Sequence, residues 1–116
     1  MKRIERGGVW LAALDPVVGH EIAKTRPVVV VSNDMNNRYA GTVTVLPVTS
    51  QKTGRVYPFE IFLAQGMAGL PKDSKALAHQ IRTLDASRLV KFLGRLDADT
   101  MREVEQALRI HLGLPL

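Results

Sequence analysis

Four consecutive valines, Val28-Val29-Val30-Val31, constrain this chain more than any other stretch. Each is β-branched, so the run favours extended backbone. Apolar side chains at every position, rather than at alternate ones, describe a strand buried on both faces. Such a strand needs sheet neighbours along its edges and apolar cover above and below. The rest of the chain offers both. Residues 9–14 form a short apolar run in which Trp10 is expected to pack in the core. Residues 42–45 alternate polar and apolar, and residues 59–63 do so imperfectly, because Phe62 falls on the face of Glu60. Pro58 sets the start of that segment at an edge or bulge. Residues 77–82 read as a strand with Leu77, His79 and Ile81 on one face and Ala78, Gln80 and Arg82 on the other. Residues 90–96 read as the last strand. The period then changes. Met101, Val104, Leu108 and Leu112 recur at helical spacing, with Ala107 beside them and Ile110 opposite. Asp97 or Thr100 can cap this helix, Thr100-x-x-Glu103 fits a capping box, and Gly113 followed by Pro115 stops it. The expected fold is mainly β with a C-terminal helix, a small and strongly bent sheet or barrel forming one domain over residues 1–116.

Charge and cysteine usage narrow the function. Sixteen Lys and Arg against eleven Asp and Glu leave a net charge of +5, and the acidic excess lies in residues 97–116, so the body is more basic than the whole. A small basic body suits a polyanion or an acidic protein partner. With no cysteine, disulfides, thiolate catalysis and Cys-ligated metals are excluded. The three histidines have no paired spacing, no Gly-x-Ser-x-Gly elbow occurs, and Gly7-Gly8 alone makes no phosphate loop. Neither a metal nor a cofactor is expected. Lys2, Arg3 and Arg6 precede an apolar stretch, but Asp15-Pro16 cuts it short, and no apolar run reaches membrane length. A cytoplasmic protein without a membrane anchor is expected. Two basic-leaning loops, residues 15–26 and 51–56, are the natural places for a site on a rigid sheet.

Several short motifs then fall into order. Gly8-Val9-Trp10-Leu11, Leu14-Asp15-Pro16, Gly19-His20-Glu21 and Lys24-Thr25-Arg26-Pro27 lead into the valine run and Ser32-Asn33. Pro47-Val48-Thr49-Ser50, Pro58-Phe59-Glu60, Gln80-Ile81-Arg82-Thr83-Leu84-Asp85 and Gly94-Arg95-Leu96 follow. Each is weak alone; the ordered series, over nearly the whole chain, resembles the MazF/PemK-type toxins. The resemblance implies an SH3-like barrel of the MazF/PemK/CcdB type, a terminal helix and a homodimer. It implies a metal-independent endoribonuclease that cuts single-stranded RNA, often mRNA, at short sequences. It also implies a cognate antitoxin whose acidic or apolar tail covers the RNA surface. The same barrel hosts gyrase-poisoning toxins of CcdB type, which commonly rely on a Trp near the C-terminal end. This chain ends Leu112-Gly113-Leu114-Pro115-Leu116 without one. An inactive remnant that only binds RNA or protein is the third reading.

Metal-free RNA cleavage needs a base for the 2′-OH, an acid for the leaving 5′ oxygen and donors for the charge that builds on phosphorus. Arg26 is the first candidate: Pro27 biases it toward extended backbone, and its guanidinium can grip a phosphate with two parallel bonds. The alternative is a solvated loop arginine paired with Glu21. Thr49 is the second, its hydroxyl positioning a phosphate or the 2′-OH, with Ser50 able to share the task; both residue types also commonly satisfy backbone at strand ends. His20 is the only histidine in a candidate loop, and an imidazole's ordinary pKa of ~6.5 suits acid/base work. His79 stands where the family commonly has Asp, which in some members acts in catalysis; the alternation makes it a largely buried structural histidine here. His111 is expected at the boundary of the helix stripe. Lys24, Lys52 and Arg55 read as phosphate contacts. Asn36, Gln80 and Arg82 complete the candidate RNA-binding set, with Arg82 also open to pairing with Asp85 or reaching a neighbouring subunit. Tyr39, Tyr57 and Asn36 are the candidates for base recognition.

Overall fold

The computed structural model describes residues 2–116, and its sheet is built outward from the valine run. Strand β2 (Thr25–Val30) lies between β1 (Gly8–Ala13) and β3 (Thr42–Thr49), antiparallel to both. The outer edge of β1 pairs with β7 (Leu89–Arg95), with register shifts after Val9 and Leu11 where the sheet bends. The second edge of β3 is divided. Strand β6 (Arg82–Asp85) pairs with Thr42–Val45, whereas β5 (Ser74–Leu77) pairs with Val48 and Thr49 and carries β4 (Glu60–Leu63) beyond it. Pro47 sits at the handover, where the ladder on that edge is interrupted, a position at which a sheet tolerates proline.

Both faces of β2 are covered, as its three consecutive valines require. Val28, Val29 and Val30 are fully buried. Val29 joins Val9, Leu46, Val48, Ile61 and Leu63 on one face, against Met101, Val104 and Ala107 of helix α2 (Ala98–Leu112). Val28 and Val30 join Trp10, Ala12, Val43, Val45 and Leu84 on the other, with Leu14, Ile22 and Phe92 around them. Asp97 caps α2 by accepting the Thr100 N–H, so Thr100 lies inside the first turn and is buried, not at the head of a capping box. Gly113 ends the helix in left-handed backbone, and the Leu114 N–H returns to the Arg109 carbonyl. Ile110 and His111 face solvent.

The sheet curls into a barrel-like body, yet among the described residues no strand pairing joins β7 to β4. A turn at Met67–Gly69 fills that gap by packing on β7. The approach is close enough that a Cβ on Gly94 would lie 2.5 Å from the Ala68 carbonyl carbon.

Three local expectations are corrected, and one short helix is added. Residues 77–82 do not form one strand: a 3-10 turn at Ala78–Gln80 separates β5 from β6. The period-2 argument therefore fails there, and His79 is exposed instead of buried. A short helix α1 (Asp34–Tyr39) follows β2, capped by Asn33, whose side chain accepts the Asn36 N–H. Six residues are too few to show helical periodicity. The valine strand is displaced toward the N-terminus: Arg26 belongs to β2, and Val31 lies just past its end. Arg82 does not pair with Asp85; its Nη1 donates to the Leu14 carbonyl, and Asp85 accepts from Ser87.

Gly94→Ala should clash with the Ala68 backbone and cost about 1–3 kcal/mol. The check is the urea midpoint, which should fall without a change in the slope of the transition.

Candidate active site

The site begins with a register. Val30 pairs with Val45, Val29 with Leu46 and Val28 with Pro47. The pairing ends there; two residues beyond it on each strand stand Arg26 of β2 and Thr49 of β3, on the same face by alternation. On its other edge Thr49 pairs with Lys75 of β5, and Lys75 pairs with Phe62 of β4. Thr49, Lys75 and Phe62 thus form one row across the sheet, with Arg26 at the neighbouring end of β2, where the apolar layer of Val28 and Val30 gives out.

Arg26 is anchored and still available. Its Nε donates to the Ala23 carbonyl at 2.7 Å, which fixes the guanidinium plane. No carboxylate lies within ion-pair distance among the described residues, and the pairing with Glu21 does not form: Glu21 accepts the Val18 N–H instead. The two terminal nitrogens keep their donors for an anion. Thr49 is only 8% exposed, and its Oγ1 accepts the Gln51 N–H at 3.1 Å. That bond orients the hydroxyl and leaves its own proton free to donate. Ser50 is exposed at the end of the same strand.

His20 is a loop residue and not a member of this row. It lines a cleft of about 440 Å3 with Val18, Glu21, His79, Gln80, Ile81 and Arg82, so the cleft brings two histidines together. Gln80 is occupied with holding the cleft's wall. Its Oε1 accepts the Ile22 N–H at 2.7 Å, and its Nε2 donates to the His20 carbonyl at 3.2 Å. The Arg82–Leu14 bond pins the same loop, and Arg88 Nη1 pins its start at Ala13 and Asp15. His79 packs edge-on against Phe59, with ring centroids 4.8 Å apart. Although the residue is exposed overall, partial desolvation pushes its imidazole below the ordinary histidine value; Glu60 opposes that shift, and His111 and Lys75 reinforce it.

The remaining cations divide by role. Lys24 and Lys52 are exposed and both adopt left-handed backbone, an uncommon state for lysine. Arg55 lies over the Tyr57 ring at 5.1 Å, and Tyr57 stacks on Phe59 with planes 1° apart. Asn36 is remote from all of these. Its amide donates to the Thr42 carbonyl, at the far end of β3 from Thr49, about 23 Å away at ~3.3 Å per residue. Tyr39 lines a separate cleft of about 670 Å3, between α1 and residues 2–5, which contains none of the candidate catalytic side chains. Sequence reasoning missed Lys75 and Glu60. Their side chains are 7% and 5% exposed, paired at 2.9 Å beside Thr49. The one available signal was a Lys amid small and apolar residues in Ser74-Lys75-Ala76-Leu77. Among the described residues no cluster of three or more His, Asp or Glu is arranged to hold a metal ion.

A bent antiparallel sheet with one terminal helix, carrying an unpaired arginine beside a strand-end hydroxyl, defines a class of small β-proteins equipped to hold an anion. Comparison with known proteins makes the assignment specific. The model of the PemK-like, MazF-like toxins of type II toxin–antitoxin systems matches residues 5–112, and the chain belongs to that family. It is 42% identical to endoribonuclease MazF9 of Mycobacterium tuberculosis, over 96% of this chain and 98% of that one. Among solved structures it is similar to MazF of Deinococcus radiodurans, at TM-score 0.85 and 31% identity, covering 98% of this chain and 100% of that one. It also resembles a mycobacterial endoribonuclease in complex with its cognate antitoxin, at TM-score 0.75 and 25% identity, covering 100% and 99%.

The lowered His79 value makes a stability prediction. As pH falls through and below the ordinary value of 6.5, the unfolded chain takes up this proton before the folded one does. His79 therefore contributes stability that is complete above that value and is lost as pH falls toward the folded value. Urea midpoints between about pH 7 and pH 5 should depend less on pH in His79→Gln than in the parent. Equal pH dependence would contradict the desolvation argument.

Proposed function

We propose that this chain is a sequence-specific, metal-independent endoribonuclease toxin that cleaves single-stranded RNA. The observation that carries the reading is Arg26 and Thr49 at the adjoining ends of β2 and β3, an anchored guanidinium with free terminal donors and an oriented hydroxyl. Family membership and relatives described as endoribonucleases support it. In the proposed reaction the substrate's 2′ oxygen attacks the adjacent phosphorus. The new P–O2′ bond replaces the P–O5′ bond, leaving a 2′,3′-cyclic phosphate and a 5′-OH. Arg26 binds the non-bridging oxygens as negative charge builds on them. Thr49, with Ser50 beside it, fixes the reacting phosphate. The proton transfers fall to the histidine cleft: His20 is the acid or base, and His79, where the family commonly has Asp, is the second imidazole within it.

Lys24, Lys52 and Arg55 track the flanking phosphates. Gln80 and Arg82 contribute by holding the 15–24 loop in shape. Asn36 has no part in the reacting centre, because it is engaged at the far end of β3. We further propose a homodimer that frames the RNA groove, a cognate antitoxin that neutralises it, and action on mRNA in the cytoplasm. No helix among the described residues is long and apolar enough to cross a membrane.

The test is incubation with a long mixed-sequence RNA in chelator, followed by mapping of the cut ends. Discrete cuts with 5′-OH ends are expected. Arg26→Ala should lower kcat by about 100-fold or more at unchanged Tm, and Arg26→Lys should fail nearly as badly, since an ammonium lacks the planar fork. Thr49→Ser should retain more activity than Thr49→Val. Full cleavage by a folded Arg26→Ala protein would refute the assignment. RNA affinity should also fall as salt rises, because phosphate contacts release counterions.

A further inference from the structure

The reaction proposed above makes no use of the most deeply buried charges in the molecule. Lys75 and Glu60 lie on adjacent strands, almost wholly out of solvent. Burying both ions costs desolvation, and apolar residues of similar size would serve stability as well or better. The pair therefore needs another explanation, and its hydrogen bonds supply one. The Lys75 ammonium donates to Glu60 Oε1 at 2.9 Å and to the Arg55 carbonyl at 3.0 Å. The same Glu60 oxygen accepts the Tyr57 N–H at 2.9 Å. Both outward bonds end on the loop between β3 and β4.

That loop has little else to hold it. Residues 51–58 form no helix or strand. Its start is fixed by the Gln51–Thr49 bond and its end by the turn from Glu60 N to the Tyr57 carbonyl. Between these points, backbone bonding among the described residues is confined to a long 3.4 Å contact from Arg55 N to the Lys52 carbonyl. The buried pair is what ties the middle of the loop to the sheet. The loop's exposed groups are those an RNA strand would meet: Lys52, Arg55 over Tyr57, and Tyr57 itself, 43% exposed and stacked on Phe59. Aromatic and guanidinium planes are stacking surfaces for unpaired bases. Lys75 also lies directly opposite Thr49, so the clamp is registered to the strand that carries the reacting hydroxyl.

We infer that the Lys75–Glu60 pair is a positioning device, which sets the 50–59 loop so that Arg55 and Tyr57 hold RNA next to Arg26 and Thr49. It acts on substrate binding and not on the bond-breaking step, and it rests on the RNA-cleaving function proposed above. Neither residue is catalytic.

The experiment uses the full chain with Lys75→Met and Glu60→Leu combined, which removes both tethers and leaves no unpaired buried charge. Two readouts are taken. Trypsin, cutting after Lys52 and Arg55, reports the loop with no RNA present. Steady-state cleavage of a single-stranded RNA reports its use. The expected results are nicking about tenfold faster, KM raised about tenfold and kcat within about threefold of the parent, at unchanged circular dichroism. A folded double variant with parental nicking overturns the clamp. Faster nicking at parental KM overturns its role in RNA binding, as does a fall in kcat alone. A parent that does not cleave RNA defeats the functional reading, while the trypsin arm still judges the tether. If the double variant does not fold, amide exchange in the parent decides: a protected Tyr57 N–H supports the tether, and exchange at the unprotected rate overturns it.

Discussion

Everything in this molecule depends on the register between β2 and β3. Val28, Val29 and Val30 are buried on alternating faces, and their partners on β3 are buried too. A slip of one residue would turn every one of these side chains to the wrong layer, so the register is strongly specified. The reactive pair inherits that precision. Arg26 and Thr49 continue the same two strands past the paired stretch, so their placement at one end of the sheet follows from apolar packing and not from an attraction of their own.

A second constraint is the cost of loops. Two long connections border the site, and neither has a ladder of its own. The first is stapled by side chains reaching from β6 and its neighbours: Gln80, Arg82 and Arg88 bond backbone groups between Ala13 and Ile22. The second is held from beneath by Lys75 and Glu60. Several basic side chains are thus spent on the molecule itself, Arg6 and Arg95 among them through pairs with Glu105 and Glu5. A positive net charge consequently overstates how many cations can meet a polyanion. Arg26 is anchored through Nε alone, which leaves both terminal nitrogens of its guanidinium without a protein partner among the described residues.

Much of the architecture could be read from residue order. The valine run announced a doubly buried strand, the helical spacing from Met101 to Leu112 announced α2, and Asp97 and Gly113 marked its ends. What failed were short segments where local pattern carries too little information. Six residues of α1 cannot display a period. Leu77 to Arg82 alternates as a strand should, yet the chain must leave β5 on one part of β3's edge and reach β6 on another, and the turn at Ala78–Gln80 makes that step. His79 was misjudged for the same reason, since its face followed from an alternation that the turn breaks.

The sequence by itself determined the class of fold, the family, and the residue types a metal-free cleavage would need, because β-branching, helical period and motif order are local properties of the chain. Only the tertiary structure decided which of those residues share a place. It put Arg26 and Thr49 at one end of the sheet, set His20 and His79 in one cleft, sent Asn36 to the other end of β3, and buried Lys75 with Glu60 under the loop. The separations run from 6 residues for Asn36 and Thr42 to 59 for His20 and His79, and the longer ones are fixed by strand pairing and packing that no local pattern encodes.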